Sequence, residues 1–300
     1  MKPARFEYAA PDSLAEAISL LEQHADDDVK ILAGGQSLVP LLNMRMARPE
    51  FLIDLNRIAE LQYIREEAGW LAIGAMTRKR AVEESELVRQ RQPALLAATQ
   101  LVGHPQIRNR GTVGGSMAHA DPAAEYPALA LLLGVELRVA GPGGERRIPA
   151  ADFFHGYLAT ALEPTDVLTE VRIPVLDPGT GWSFLEVARR HGDFAMGGAG
   201  ATVRLDASGK LSEVRIALFG VGAAALRLHD VERELVGEQP GEALFQDAGA
   251  RASQGLEDPL SDVHASAEYR RNLARVLTVR VLEEAVGRAG GAGGREEGSR

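Results

Sequence analysis

Two glycine pairs constrain this chain more than any other feature: Ala33-Gly34-Gly35-Gln36-Ser37, and further on Thr112-Val113-Gly114-Gly115-Ser116. Each follows or lies within a short β-prone stretch, and each joins adjacent glycines to small hydroxyl or amide residues. Glycine adopts positive φ without steric penalty and lets a ligand approach where a Cβ would stand. Consecutive N–H groups in such turns form a concave cradle for anions. One pair alone is as readily an ordinary loop. Two of the same make, within one domain-sized stretch, predict a single diphosphate gripped from two sides.

Composition narrows the class. A chain of 300 residues favours two domains. The net charge of −9 gives no overall attraction to nucleic acid or anionic membranes. The absence of cysteine excludes a disulfide framework, a cysteine nucleophile and any iron–sulfur cluster held by this chain. The seven histidines are dispersed without ligand-pair spacing, so no metal site is expected. The N-terminus lacks the apolar core of a signal peptide, and no run reaches the ~20 apolar residues of a membrane span. The expectation is a soluble cytoplasmic protein.

Periodicity divides the chain. Residues 6–8 read as a strand. Ser13 with Glu16 fits a capping box opening a helix with Leu14, Ala17, Ile18 and Leu21 on one face. Residues 29–32 form a strand that delivers the first glycine pair, 38–44 a short helix and 51–55 another strand. The order is β-α-β, yet no G-x-G-x-x-G is present. Residues 70–74 read as strand and turn, 77–88 and 95–102 as helices, 127–133 as an apolar helix, and 135–140, 146–148 and 167–173 as strands. Pro174 through Gly181 breaks both periodicities and marks a domain boundary. Strands at 184–188, 200–205 and 211–219 follow, with Asp206-Ala207-Ser208-Gly209 as a hairpin turn. Helices then read at 226–236, 242–253 and 269–286, the pattern of a separate α+β domain.

Several residues have the chemistry of a phosphate and ribose site. Gln36 and Ser37 add donors beside the first pair; Thr112 and Ser116 flank the second with hydroxyls. Asp121 and Glu125 follow on a loop stiffened by Pro122 and have the acceptors for ribose hydroxyls, although Asp121 equally suits the cap of the 122–133 helix. Gly114-Gly115-Ser116-Met117-Ala118 approximates the G-x-S-x-G elbow of a serine hydrolase, with alanine in the last glycine position. Arg108 and Arg110, with Arg45 and Arg48, read either as a solvated basic face or as a patch that docks a partner.

The two pairs, the string His104 to Glu125, the segment Asp166 to Pro174 and the string Phe184 to Ala195 occur in that order. Together they resemble the FAD-binding (medium) subunit of the molybdenum hydroxylases, the aerobic carbon monoxide dehydrogenase and xanthine dehydrogenase family. The resemblance covers nearly the whole chain apart from the tail. It implies an α+β fold: a two-subdomain, vanillyl-alcohol-oxidase-type FAD domain followed by a smaller α+β domain. The boundaries implied are 1–176 (subdomains about 1–57 and 58–176), 177–287, and a disordered tail at 288–300.

By position, the resemblance assigns Ile31, Leu32, Ala33, Gly34, Gly35, Gln36, Ser37 and Leu38, with Thr112, Val113, Gly114, Gly115 and Ser116, to the diphosphate and adjoining ribityl chain. Val102 and Glu125 line the cofactor site, Leu168 meets the adenine end, and Phe194 lies near the isoalloxazine ring. Two departures are visible. Glu186 stands where relatives often carry lysine, and Phe194, where relatives can carry tyrosine, keeps a stacking surface without the hydroxyl.

The implied activity is oxidoreductase electron transfer, with non-covalent FAD on this chain and no catalytic acid required. The molybdenum cofactor and two [2Fe–2S] clusters reside on a molybdopterin large subunit and an iron–sulfur small subunit. Electrons pass through FAD to NAD or another acceptor, and the assembly is a dimer of heterotrimers. The alternative class is a stand-alone flavin-dependent oxidoreductase or a flavin-binding assembly protein.

Overall fold

The computed structural model describes residues 2–290. The chain opens with β1 (Glu7–Ala9), α1 (Leu14–Gln23), β2 (Val29–Leu32), α2 (Leu38–Asn43) and β3 (Phe51–Asp54). The Ser13 hydroxyl accepts the Glu16 N–H at 3.2 Å, capping α1 as expected. The return bond goes one residue upstream, to the Asp12 N–H at 3.0 Å. Ala17 and Leu21 bury the inner face of α1 against Phe51, Ile53 and Leu55. The strands form a parallel sheet in the order β1-β3-β2, with Leu32 beside Asp54 at its carboxyl edge. Ligands of open α/β sheets bind beyond that edge, which is where the first glycine pair begins.

Next come β4 (Ile64–Glu67), β5 (Trp70–Gly74), α3 (Lys79–Glu84), α4 (Glu86–Arg91), α5 (Pro93–Leu101), α6 (Pro105–Arg110), α7 (Val113–His119) and α8 (Glu125–Leu133). Then follow β6 (Glu136–Gly141), β7 (Gly144–Pro149), the small hairpin β8 (Phe154–Gly156) and β9 (Ala159–Thr160), and β10 (Val167–Pro174). The helix expected over 77–88 is two helices. Ser85 breaks it, and its hydroxyl caps α4 through the Val88 N–H at 3.3 Å. An antiparallel sheet runs β4-β5-β10-β6-β7. Leu71, Ile73, Leu137, Val139, Val171 and Ile173 face its core.

The last third holds β11 (Gly181–Ala188), β12 (Ala195–Leu205), β13 (Leu211–Phe219), β14 (Leu226–Arg227), α9 (His229–Leu235), α10 (Glu242–Gln254) and α11 (Ala267–Gly290). The strands pair antiparallel in that order. Ala199, Ala201, Val203, Ile216 and Leu218 pack against Leu273, Leu277, Val281 and Leu282 of α11. The expected hairpin turn is present: Asp206 Oδ1 accepts the Ser208 N–H at 2.8 Å and Gly209 takes φ +80°. Helix α11 continues to Gly290, three residues into the segment read as a tail; the remainder of that segment, 291–300, lies outside the described residues.

The fold gathers into two compact units that cut across the sequence. Of the described residues, one comprises those up to Gln92, Val102–Asp121 and Gly134–Pro174; the other takes Pro93–Leu101, Pro122–Leu133 and the described chain from Val175 to Gly290. Helices α5 and α8 thus belong with β11 to β14. In that second unit the Thr99 hydroxyl sits 2.9 Å from the buried Tyr126 hydroxyl.

Candidate functional site

The first glycine pair is a turn of the predicted kind. It leaves β2 at Leu32, Gly35 takes φ +75°, and the chain enters α2 at Leu38. The Val39 N–H returns to the Gly35 carbonyl at 3.0 Å, and the Gln36 amide donates to the Gly34 carbonyl at 3.3 Å. Among the described residues, the N–H groups of Gly35, Gln36, Ser37 and Leu38 find no protein acceptor. The Ser37 hydroxyl makes no cap bond to α2. This is a row of unengaged donors beyond the carboxyl edge of a parallel sheet, and its chemistry suits phosphate oxygens.

The second pair differs from the expected turn. Gly114 and Gly115 lie in the first turn of α7, and Thr112 is its N-cap, accepting the Gly115 N–H at 3.1 Å. The Val113 N–H donates to the Thr77 carbonyl at 3.0 Å and the Gly114 N–H to the Ala75 carbonyl at 2.8 Å. These N–H groups are therefore not an anion cradle. A Cβ on Gly114 would stand 2.5 Å from the Ala75 Cβ and 2.8 Å from its carbonyl oxygen. The glycine's smallness seats α7 on the end of β5. On this side the polar groups of the motif beyond the cap are the Ser116 side chain and the rim of α7.

The structure does bring the two pairs together. A Cβ on Gly34 would lie 2.7 Å from the Gly111 Cα and 3.0 Å from the Thr112 nitrogen, and one on Gly115 would lie 3.5 Å from the Ala33 Cβ. Four residues that the sequence reading passed over hold this junction. The Asn56 amide donates to the Ala33 carbonyl at 2.9 Å, and its oxygen accepts from Arg78 Nη2 at 2.5 Å. Arg78 Nη1 donates to the Arg110 carbonyl. Asp54 orients Asn56 through its N–H at 2.9 Å and is itself bonded to the Tyr8 hydroxyl at 2.7 Å.

Ile31 and Leu32 are half-buried in β2, beside the turn. Val102 is buried, its carbonyl accepting from Arg108 Nη1 at 3.1 Å, and Leu168 is buried at the bulge of β10. Asp121 is 4.0 Å from His119 Nε2, and burial holds the His119 imidazole below its ordinary value. Glu125 and Phe194 belong to the second unit. Glu125 is buried at the start of α8, whereas Phe194 is 67% exposed just before β12. Burial, with the Glu125 carboxylate as a second cause, pushes the Glu186 carboxyl up to about 8. Its Oε2 is buried without a hydrogen-bond partner.

The basic patch is smaller than expected. Arg108 is buried and bonded to both Glu83 oxygens, at 3.0 and 3.1 Å, which holds the Glu83 carboxyl below the ordinary range. It is a strut between α6 and α3 and no part of a solvated or docking face. Among the described residues no group of histidine and carboxylate side chains is placed to hold a metal ion, and no helix is long and apolar enough to cross a membrane.

Comparison with known proteins gives this geometry a context. Residues 4–176 match the family described as "FAD binding domain in molybdopterin dehydrogenase", and residues 182–285 match "CO dehydrogenase flavoprotein C-terminal domain". The 6-hydroxypseudooxynicotine dehydrogenase complex subunit alpha of Paenarthrobacter nicotinovorans is 43% identical over 96% of this chain and 97% of its own length. The carbon monoxide dehydrogenase medium chain of Hydrogenophaga pseudoflava is 40% identical over 95% of this chain and 98% of its own. A solved structure of the carbon monoxide dehydrogenase from that organism superposes with a TM-score of 0.93 at 41% identity, covering 96% of this chain and 99% of the compared one.

Proposed function

The chain belongs to the FAD-binding subunits of the carbon monoxide and xanthine dehydrogenase family, and from that premise we propose that it is the electron-transfer subunit of a heterotrimeric molybdenum hydroxylase. In this reading it takes electrons from the [2Fe–2S] clusters of a small subunit and passes them to NAD or another acceptor, in a dimer of heterotrimers with a molybdopterin large subunit. The fold is the family's: an FAD-binding domain, here assigned to 1–176, followed by the smaller α+β domain assigned to 177–287.

One observation carries the assignment of the site: the unengaged N–H groups of Gly35, Gln36, Ser37 and Leu38, in a turn whose glycine backs directly onto the start of the second motif. Those donors hold the diphosphate. The Ser116 side chain closes the opposite wall, with Ala33 as backbone lining and Ile31, Leu32, Val102 and Leu168 as the apolar surround; Thr112 and Val113, expected at the cofactor, are buried behind that wall, Thr112 as the cap of α7. Asp121 takes hydroxyl-bearing parts of the cofactor; Glu125 and Phe194, which belong to the second unit, are assigned to the cofactor by family resemblance alone. When bound, FAD supplies the redox chemistry; the protein binds it, orients it and sets its electrostatic surroundings.

None of these residues selects the molecule that is oxidised. The two relatives above are named for a pseudooxynicotine and for carbon monoxide, yet they are 43% and 40% identical to this chain. Substrate choice is assigned accordingly to the large subunit. The test is to purify the chain alone and with co-expressed partner subunits, then record the visible spectrum and subunit composition. A flavin spectrum and a three-subunit complex are expected. A protein that stays colourless after FAD is added contradicts the reading, and a yellow protein that never associates favours a stand-alone oxidoreductase.

A further inference from the structure

We propose that Asn56 and Arg78 form a latch that sets the spacing of the two cofactor motifs, acting as positioning residues that do not touch the cofactor themselves. The inference rests on the flavin reading of the site. The two motifs lie on different sheets: the first turn extends from the parallel sheet, whereas α7 is seated on the antiparallel one through Ala75 and Thr77. Contact between Gly34 and the 110–112 backbone limits how close they come, but a van der Waals contact does not stop them separating. A polar link does.

Asn56 is the first half of that link. It follows β3 at the carboxyl edge of the parallel sheet, and Asp54 fixes its orientation by accepting both its backbone N–H and its side-chain amide. One amide hydrogen reaches the carbonyl of Ala33, the residue before Gly34. Arg78 is the second half. It stands just before α3 and pairs with Thr112 in an isolated antiparallel bridge, so its backbone belongs to the second motif's side. Its guanidinium donates one nitrogen to Asn56 and the other to the Arg110 carbonyl. That carbonyl is one of the groups Gly34 backs onto. A planar fork with fixed donor directions spans two acceptors at a set distance, which the single ammonium of lysine does not reproduce. The Arg78 guanidinium is half-buried, and burial with the nearby Arg110 charge lowers its proton affinity; the Asp54 carboxylate opposes that trend. A ligand held by a preorganised wall loses affinity when the supporting shell loosens, even with every direct contact residue in place.

The test uses the full-length chain as apoprotein, titrated with FAD by flavin fluorescence, together with its thermal midpoint and far-UV circular dichroism. Arg78→Lys keeps the charge and Asn56→Ala removes the bridge without touching it. Each is expected to raise the FAD Kd about tenfold, the worth of one charge-assisted hydrogen bond. The double variant is expected to match the worse single one, since both break the same link. The far-UV spectrum should keep its wild-type shape, and the apoprotein midpoint should fall by no more than the few degrees that the lost hydrogen bonds cost. Unchanged Kd in both variants overturns the latch, as does a double variant that multiplies to about a hundredfold. A variant that loses far-UV signal, or whose weaker binding is accounted for by its unfolded fraction at the assay temperature, overturns it in favour of a purely structural role. Wild type that binds no FAD refutes the flavin reading; wild type that binds it while both variants bind equally refutes the latch alone.

Discussion

Gly34 and Gly111 meet backbone to backbone: a Cβ built on Gly34 would sit 2.7 Å from the Gly111 Cα. Gly34→Ala therefore pushes against main chain rather than a side chain that can turn away. Overpacking of this kind costs about 1–3 kcal/mol, and here it also opens the wall proposed for the cofactor. The expected result is lower stability in urea together with weaker FAD binding. An alanine variant with wild-type FAD affinity would show that the junction does not shape the site.

Gly114 makes a separable prediction. Its absent Cβ faces Ala75, so Gly114→Ala lifts α7 from β5 whether or not a cofactor is present. The apoprotein should lose about 1–3 kcal/mol in denaturant unfolding. If only the FAD-loaded protein were weakened, the glycine would instead be serving ligand approach.

The Thr112 cap gives the smallest effect. Thr112→Val removes the acceptor of the Gly115 N–H, at a cost of about 1 kcal/mol. Equilibrium unfolding of the two proteins measures it, and identical midpoints would mean that the cap contributes nothing to α7.

Glu186 predicts a pH dependence. Its folded-state value of about 8 lies above the ordinary glutamate value, so the folded protein binds more protons than the unfolded chain between the two. Stability then falls as pH rises from ~4.3 towards about 8, and levels off above. Glu186→Gln removes that slope and raises the thermal midpoint on the alkaline side. Superimposable midpoint-versus-pH curves for variant and wild type would contradict the assignment.

The parts of the site made from contiguous chain were legible in the sequence. The β2–turn–α2–β3 run announces itself because alternation, a glycine pair and a helix start follow one another within a few residues, and local conformation decides each. The second pair was misread because Gly-Gly favours turns, while Thr112 three residues before Gly115 is also an N-cap spacing; burial on Ala75 decided between them. Arg78 and Asn56 left no local signal. Their partners lie 22 and 23 residues away, and Arg78 reaches Arg110 across 32. Arg108 was misplaced for the same reason: only the fold reveals Glu83, 25 residues upstream, beside it. Likewise α5 and α8 join the unit of the later strands through tertiary packing, which periodicity along the chain does not encode.

Gly35 is the most exacting position of the first turn. At φ +75° a side chain is strained by about 1–2 kcal/mol, and its Cβ would press on Val39 and Leu32 at 3.1 and 3.3 Å. The most direct measurement is the flavin-to-protein ratio of Gly35→Val and wild type after reconstitution with FAD and desalting, with circular dichroism to verify that the chain is folded. One FAD per wild-type chain is expected, and little or none on a folded variant. A folded Gly35→Val protein that retains its full complement of FAD would contradict the assignment of this turn to the diphosphate.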